Sequence, residues 1–339
     1  MVLDWIVIGA GPAGIAAVGK LIDSGIPPGQ IGWIDPHFAV GDLGLKWNRV
    51  PSNTKVALFL KYLQECKAFN NPKNFKIHTL NPEETCQLQD IVEPLQWITD
   101  QFKKQVHVFT EMAMALQLSQ GRWEVKMKKA SAFAKKVVLA VGADPKSLSL
   151  TEHEILSVET ALHPEKLAKA VSSQDIVGVF GSSHTAFLVL ANLYELKIKT
   201  INFYRSPHRY AVYLNDWILF DDIGLKGFTA RWAKQHIDGT WPSTLTRVCT
   251  ADRTFEEALA PCSKLVYATG FERRKLPVLE QFGKLHYDDK TGIIAPNLFG
   301  FGIAFPQAKF DRLGHVEFRV GLWKFMDYLN GILPIWLST

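Results

Sequence analysis

Asp4-Trp5-Ile6-Val7-Ile8-Gly9-Ala10-Gly11-Pro12-Ala13-Gly14 begins as an apolar run and ends in three glycines at G-x-G-x-x-G spacing. The run has strand character, and the alanine-rich stretch from Ile15 to Ile22 reads as a helix. Gly9 permits a tight turn, and Gly11 lets the backbone approach a pyrophosphate. Gly14 lets the helix lie close on the strand. Free N–H groups and partial positive charge at the helix start, around Pro12 and Ala13, then favour phosphate. Ile31-Gly32-Trp33-Ile34-Asp35 reads as a second strand whose terminal acid, followed by Pro36, suits a ribose diol. Strand, turn, helix, strand and acid in this order predict a dinucleotide site. An acid at position 35 argues against a 2′-phosphate, which leaves FAD or NAD(H).

The 339 residues suffice for two domains, and the 47% hydrophobic fraction is ordinary for a globular chain. A net charge of +5 is too mild and too dispersed for nucleic acid, but suits an anionic cofactor such as NADPH. Cys66, Cys86, Cys249 and Cys262 stand far apart without a C-x-x-C, so the sequence predicts neither a metal site nor a dithiol pair. A first strand beginning almost at Met1 leaves no room for a signal peptide, and no apolar run is long enough for a bilayer. A reduced, cytoplasmic setting follows as an expectation.

Residues 36–53 read as loop and carry Lys46 and Trp47. Helices are expected over Lys55 to Phe69 and Ile91 to Phe102. Strands are expected over Gln105 to Phe109, Ala113 to Leu118, Trp123 to Met127 and Ala134 to Val141, the middle pair joined by Ser119-Gln120-Gly121-Arg122. The buried run Val137-Val138-Leu139-Ala140-Val141-Gly142 has a counterpart in Leu265-Val266-Tyr267-Ala268-Thr269-Gly270.

Between those two runs the opening pattern returns. Ile176 to Phe180 leads into Gly181-Ser182-Ser183-His184-Thr185-Ala186, then a helix through Leu193, then a strand from Thr200 to Tyr204. Ser183 takes the middle glycine position and Ala186 the third, where alanine is tolerated. The fold class expected is α/β, with two Rossmann-like dinucleotide-binding domains of three-layer β/β/α type, the second inserted in the first. Their bounds are 1–146 with 264–339, and 147–263. Arg205 stands where the first unit has Asp35. A guanidinium suits a 2′-phosphate, with Ser206 and Arg209 near in sequence, so NADPH is expected in the second site. The bland alternative is a solvated charge at a strand end.

Two dinucleotide folds with Ala268-Thr269-Gly270 on a late strand resemble the two-domain flavoprotein superfamily. That superfamily includes pyridine nucleotide–disulfide reductases and the flavin-containing and N-hydroxylating monooxygenases. The resemblance spans nearly the whole chain. It implies FAD in the first domain, with Gly142, Thr269, Gly270 and Gly302 among its contacts, and a late strand and C-terminal segment that return to it. A helix from about Gly314 to Leu329 would point its N-terminus at the flavin. Without a redox cysteine pair the reductase branch falls away, and Val50-Pro51-Ser52-Asn53-Thr54 resembles the monooxygenase V-x-x-N-T stretch. That likeness implies that Asn53 supports a C4a-peroxyflavin that oxidises a small amine or sulfur compound with molecular oxygen. Equally, Ser52 and Asn53 read as a cap for the following helix. The fingerprint F-x-G-x-x-x-H is not matched, and His153 reads as a linker-strand residue. Trp47 could cover the flavin or be plain core. Trp217, Phe220, Phe228 and Trp232, within Tyr210 to Asp238, suggest a substrate-side lid or a buried connector. An NADPH-dependent flavin reductase and a flavin redox sensor remain open as alternatives, and so does a homodimer.

Overall fold

The computed structural model describes residues 1–70, 74–148, 153–279, 281–283 and 285–339. The chain divides into two compact units. Unit 1 is residues 1–48, 55–143 and 273–339, and unit 2 is residues 49–54 and 144–272.

In chain order, β1 (Val2–Ile8), α1 (Pro12–Asp23) and β2 (Ile31–Ile34) are followed by α2 (Val56–Gln64) and α3 (Leu88–Phe102). Next come β3 (His107–Phe109), β4 (Ala113–Ser119), β5 (Arg122–Met127) and β6 (Ser131–Leu139). Unit 2 then contributes β7 (Ile176–Phe180), α4 (His184–Glu195), β8 (Lys199–Tyr204), α5 (Gly227–His236), β9 (Leu245–Cys249) and β10 (Lys264–Tyr267). The chain re-enters unit 1 as β11 (Ile293–Ala295), β12 (Leu298–Gly300), β13 (Gln307–Phe310), β14 (Val316–Arg319) and α6 (Leu322–Ser338).

In unit 1 the sheet order is β11-β12-β6-β1-β2-β3, with β4 and β5 attached antiparallel through β6. β1 lies parallel between β2 and β6, with Val7 opposite Trp33 and Val138. Such a strand is covered on both faces, which is why Trp5-Ile6-Val7-Ile8 is continuously apolar. One face packs on α1, α3 and α6, where Phe299 stacks on Trp336 at 4.7 Å. The other packs on the β4–β5 meander around Trp123. Its turn uses Gln120 and Gly121, both at positive φ.

In unit 2 the strand Glu154–Ile155 starts a fully parallel sheet that continues β10-β7-β8-β9. Here the structure corrects the expected bounds. Lys264–Tyr267 does not return to unit 1 but pairs with β7, Val179 opposite Val266. The crossing back comes at Arg273 instead. A second correction concerns the last helix. Residues around Gly314 form the β13–β14 hairpin, because Gly314 at φ +82° supplies its turn, and α6 starts at Leu322.

Candidate cofactor sites

Each unit builds the same turn from two backbone hydrogen bonds and one missing side chain. In unit 1 the Gly9 N–H donates to Ile34 O and the Ala140 N–H to Ile8 O, both at 2.8 Å. In unit 2 the Gly181 N–H donates to Phe203 O at 2.9 Å and the Ala268 N–H to Phe180 O at 2.8 Å. A Cβ on Gly9 would stand 2.2 Å from Ala140 O, and one on Gly181 2.3 Å from Ala268 O. Both glycines have φ in the left-handed half of the map, +110° and +130°. Each turn is therefore pressed against the end of the neighbouring strand, β6 in unit 1 and β10 in unit 2, and only glycine fits.

In unit 1 the turn opens onto α1. A Cβ on Gly14 would come within 1.9 Å of Gly9 O, so helix and turn touch. Gly11 is different: its missing Cβ would meet nothing nearer than Gly41 Cα at 3.9 Å, leaving its surface bare for a ligand. No side chain caps α1, and Pro12 in its first turn has no N–H to leave unpaired. The N–H groups of Ala13 and Gly14 thus lack helical partners and point where an anion would sit. Gly302 abuts this start, since a Cβ there would lie 2.6 Å from Ala13 Cβ.

Asp35 does more than the sequence foretold. One carboxylate oxygen accepts the Ala10 N–H at 2.8 Å, and the other accepts those of His37 at 2.8 Å and Phe38 at 2.7 Å. It therefore staples the glycine turn to the loop beginning at Pro36, and leaves about one of its four lone-pair positions for a ribose hydroxyl. Lys46 lies 3.0 Å from Asp42, which also takes the Arg274 guanidinium at 2.7 Å. Arg274 reaches Val141 O and Ala143 O, flanking Gly142, whose φ is +80°. This Asp42–Arg274 pair escaped the sequence reading, because nothing local joins residues so far apart. Trp47 is half-buried.

In unit 2, α4 begins at His184 with Ser183 as its N-cap residue, and the Ser183 hydroxyl does not cap it. Ser182 and Thr185 are half-buried beside it. Thr269 and Gly270 are exposed at the end of β10. They belong to unit 2, next to the Gly181 turn, which corrects their placement in the first domain. Arg205 is exposed just past β8. Arg209 lies over the Phe220 ring at 4.4 Å. Trp232 is buried against Phe187 and Tyr194, so it is core, not lid.

Two residues of this site were missed. Asn202, fully buried on β8, donates to Val179 O at 2.9 Å and Gly181 O at 2.8 Å, and so clamps the turn from beneath. Arg247, opposite it on β9, donates its Nε–H to Asn202 Oδ1 at 2.9 Å. Desolvation lowers the pKa of Arg247, and its guanidinium lies over Tyr204 at 4.6 Å. The available signal was an asparagine inside the apolar run Ile201-Asn202-Phe203, since a buried amide must find partners.

Asn53 lies on the strand Pro51–Lys55 and accepts the Thr54 hydroxyl at 3.3 Å. The capping expectation fails. Lys55 is the N-cap residue of α2, which has no side-chain cap, and the Ser52 hydroxyl accepts the Thr54 N–H instead. His153 hydrogen-bonds Cys262 O at 2.9 Å, beside the short strand it precedes. All four cysteines are free, and burial pushes Cys86 and Cys262 up to about 11 and Cys66 higher still. These three thiols are held protonated and unreactive. Among the described residues no His, Cys, Asp or Glu cluster could hold a metal, and no helix is long and apolar enough to cross a membrane.

No family model matches the chain. Solved structures share its fold at low identity. The ornithine N-hydroxylase of Kutzneria sp. 744 is 13% identical with a TM-score of 0.66, covering 100% of this chain and 99% of its own. The L-lysine 6-monooxygenase of Pseudomonas syringae is 14% identical with a TM-score of 0.65, covering 99% of each. The bacillithiol disulfide reductase of Staphylococcus aureus is 12% identical, also at 0.65, covering 100% and 99%. The fold is thus that of the two-domain, Rossmann-like flavoproteins. Among curated proteins, the monooxygenase AgnR1 of Paecilomyces divaricatus is 31% identical over 98% of both chains. The chain belongs to that monooxygenase family and is an oxidoreductase.

Proposed function

We propose that unit 1 holds FAD, that unit 2 holds NADPH, and that the enzyme places an oxygen atom from dioxygen on a small amine or sulfur substrate. The observation that carries this is the duplicated turn. Both copies end at a helix start without a side-chain cap; one is followed by Asp35 and the other by Arg205. The Kutzneria hydroxylase structure holds reduced FAD, NADP⁺ and L-ornithine, which supports the same pairing here.

When bound, the two cofactors supply hydride transfer and the reduction of oxygen. The chain's own groups bind and orient. In unit 1, the bare face of Gly11 and the N–H groups of Ala13 and Gly14 would hold the pyrophosphate, while Asp35 fixes the turn. In unit 2, the N–H groups at the start of α4 would take the second pyrophosphate, and Arg205 would meet the 2′-phosphate. Asn53 is assigned an amide contact with the flavin's reacting edge, the role that the resemblance of its stretch implies.

The test is direct. Purified protein should be yellow, anaerobic NADPH should bleach it, and oxygen-18 gas should label the product of one compound in a panel of amines and sulfides. Gly11→Val should fold but bind no flavin, because its branched side chain fills the bare face. Wild-type protein that neither carries nor takes up flavin, or product labelled from water, would overturn the reading.

A further inference from the structure

Residues 49–54 group with unit 2, although Asn48 before them and Lys55 after them belong to unit 1. Among the described residues, Glu165 and His184 of unit 2 reach this segment. Arg49 pairs with Glu165 at 3.6 Å, but both side chains are mostly exposed, so the pair holds little. The other contact is to the backbone. His184 Nε2 lies 3.3 Å from Pro51 O, and its Nδ1 lies 3.0 Å from the Thr229 hydroxyl.

A carbonyl only accepts, so Nε2 carries the hydrogen and donates it to Pro51. In the neutral ring Nδ1 is then an acceptor, and it shares the single Thr229 hydroxyl hydrogen with Lys226 O, also at 3.0 Å, so the Pro51 bond is what sets the tautomer. His184 is also the first residue of α4, so this ring hangs from the second dinucleotide turn itself. On the far side of the bond the chain is stiff. Proline fixes φ at residue 51, Ser52 is buried, and its hydroxyl accepts the Thr54 N–H at 2.8 Å to close a turn across Asn53.

We propose that His184 is a positioning residue: by holding the Pro51 carbonyl from the first turn of α4, it orients Asn53, so that a pyridine nucleotide at that turn steadies the Asn53 segment. The inference rests on the reading above, in which α4 takes the nucleotide and Asn53 serves the flavin. An anion bound to the N–H groups at the start of α4 fixes the backbone that carries the imidazole, and the imidazole passes that order to residues 51–54. By linkage, an ordered segment raises nucleotide affinity in the same proportion.

Amide hydrogen exchange tests this without turnover. NADP⁺ affinity is first measured by calorimetry for wild type, His184→Phe and His184→Gln. Exchange at Ser52, Asn53 and Thr54 is then followed with and without saturating NADP⁺. Wild type should slow about 10-fold or more at these amides on adding NADP⁺. His184→Phe keeps a flat ring but no donor, so the slowing should fall below about twofold, while NADP⁺ affinity falls by no more than the coupling lost, about 10-fold. His184→Gln, whose amide N–H can reach Pro51, should restore most of it. In turnover, His184→Phe should lower kcat and release more peroxide per NADPH, and His184→Gln should restore both. Full slowing in His184→Phe would overturn the inference, as would none in wild type that binds NADP⁺. Wild type that binds no NADP⁺ sinks the nucleotide reading itself, and this inference with it. If His184→Phe does not fold, His184→Met, which also lacks a donor, should give the same loss; full slowing there refutes the proposal.

Discussion

Asp35→Asn is nearly isosteric, yet it should damage unit 1. The carboxylate receives N–H groups on both oxygens, Ala10 on one and His37 with Phe38 on the other. An amide has a single oxygen. Whichever way it turns, its NH₂ faces at least one backbone N–H, and the charge that strengthened all three bonds is gone. Losing one charge-assisted bond and leaving a buried donor unpaired costs roughly 2–3 kcal/mol. For a domain of about this size that corresponds to a fall in Tm of roughly 4–12 °C. Calorimetry of the flavin-free protein measures this apart from cofactor binding, and flavin content reports whether the Ala10 turn survives. A variant whose Tm falls by less than about 1 °C and which keeps its flavin would refute the idea that this staple shapes the turn.

Arg205→Ala should raise KM for NADPH about 10- to 100-fold and leave NADH use unchanged; equal losses would dismiss the 2′-phosphate assignment. Asn202→Leu should leave Gly181 O without its 2.8 Å donor, lower stability by about 2 kcal/mol in urea titration and weaken NADP⁺ binding; an unaltered midpoint would speak against the clamp. Loss of hydration holds the pKa of His184 down to about 4, with the Pro51 bond opposing and the Lys226 charge adding to the shift. The unfolded chain takes up this proton near pH 6.5 and the folded one does not, so the group lowers stability as pH falls from about 6.5 to 4, by about 2–3 kcal/mol in all. The difference in stability between wild type and His184→Gln, followed from pH 7 to 4, should show that slope; parallel curves would exclude it.

Both glycine turns were legible in the sequence because their signal is local: glycine spacing, the apolar run before it, and the residue ending the next strand. The meander was equally plain from Ser119-Gln120-Gly121-Arg122. What escaped depends on partners distant in the chain. Leu265-Val266-Tyr267 is as apolar as any strand of unit 1, and only its register with β7 says where it belongs. The helix expected from Gly314 fails for another reason. Val316 and Phe318 are exposed and alternate with Glu317, a strand period that the apolar content of the stretch concealed. In the candidate sites, Asp35 was recognised but its three N–H partners were not. Arg247, Asn202 and the His184–Pro51 contact rest on pairings that no spacing announces.

The stacking of Trp336 on Phe299, together with the Lys136 ammonium on Trp336 O at 2.6 Å, bears on how unit 1 is made. β6, which ends just before Ala140 and so sets it against the Gly9 turn, gets its outer neighbour β12 and its cover α6 only after all of residues 144–272 have been synthesised. On the ribosome, the earliest-made cradle must therefore wait, half-walled, for the latest-made helix, whereas residues 144–272 emerge without interruption. A nascent chain halted before Leu322 would expose the side of Phe299 that Trp336 covers, a ready landing place for a chaperone during synthesis.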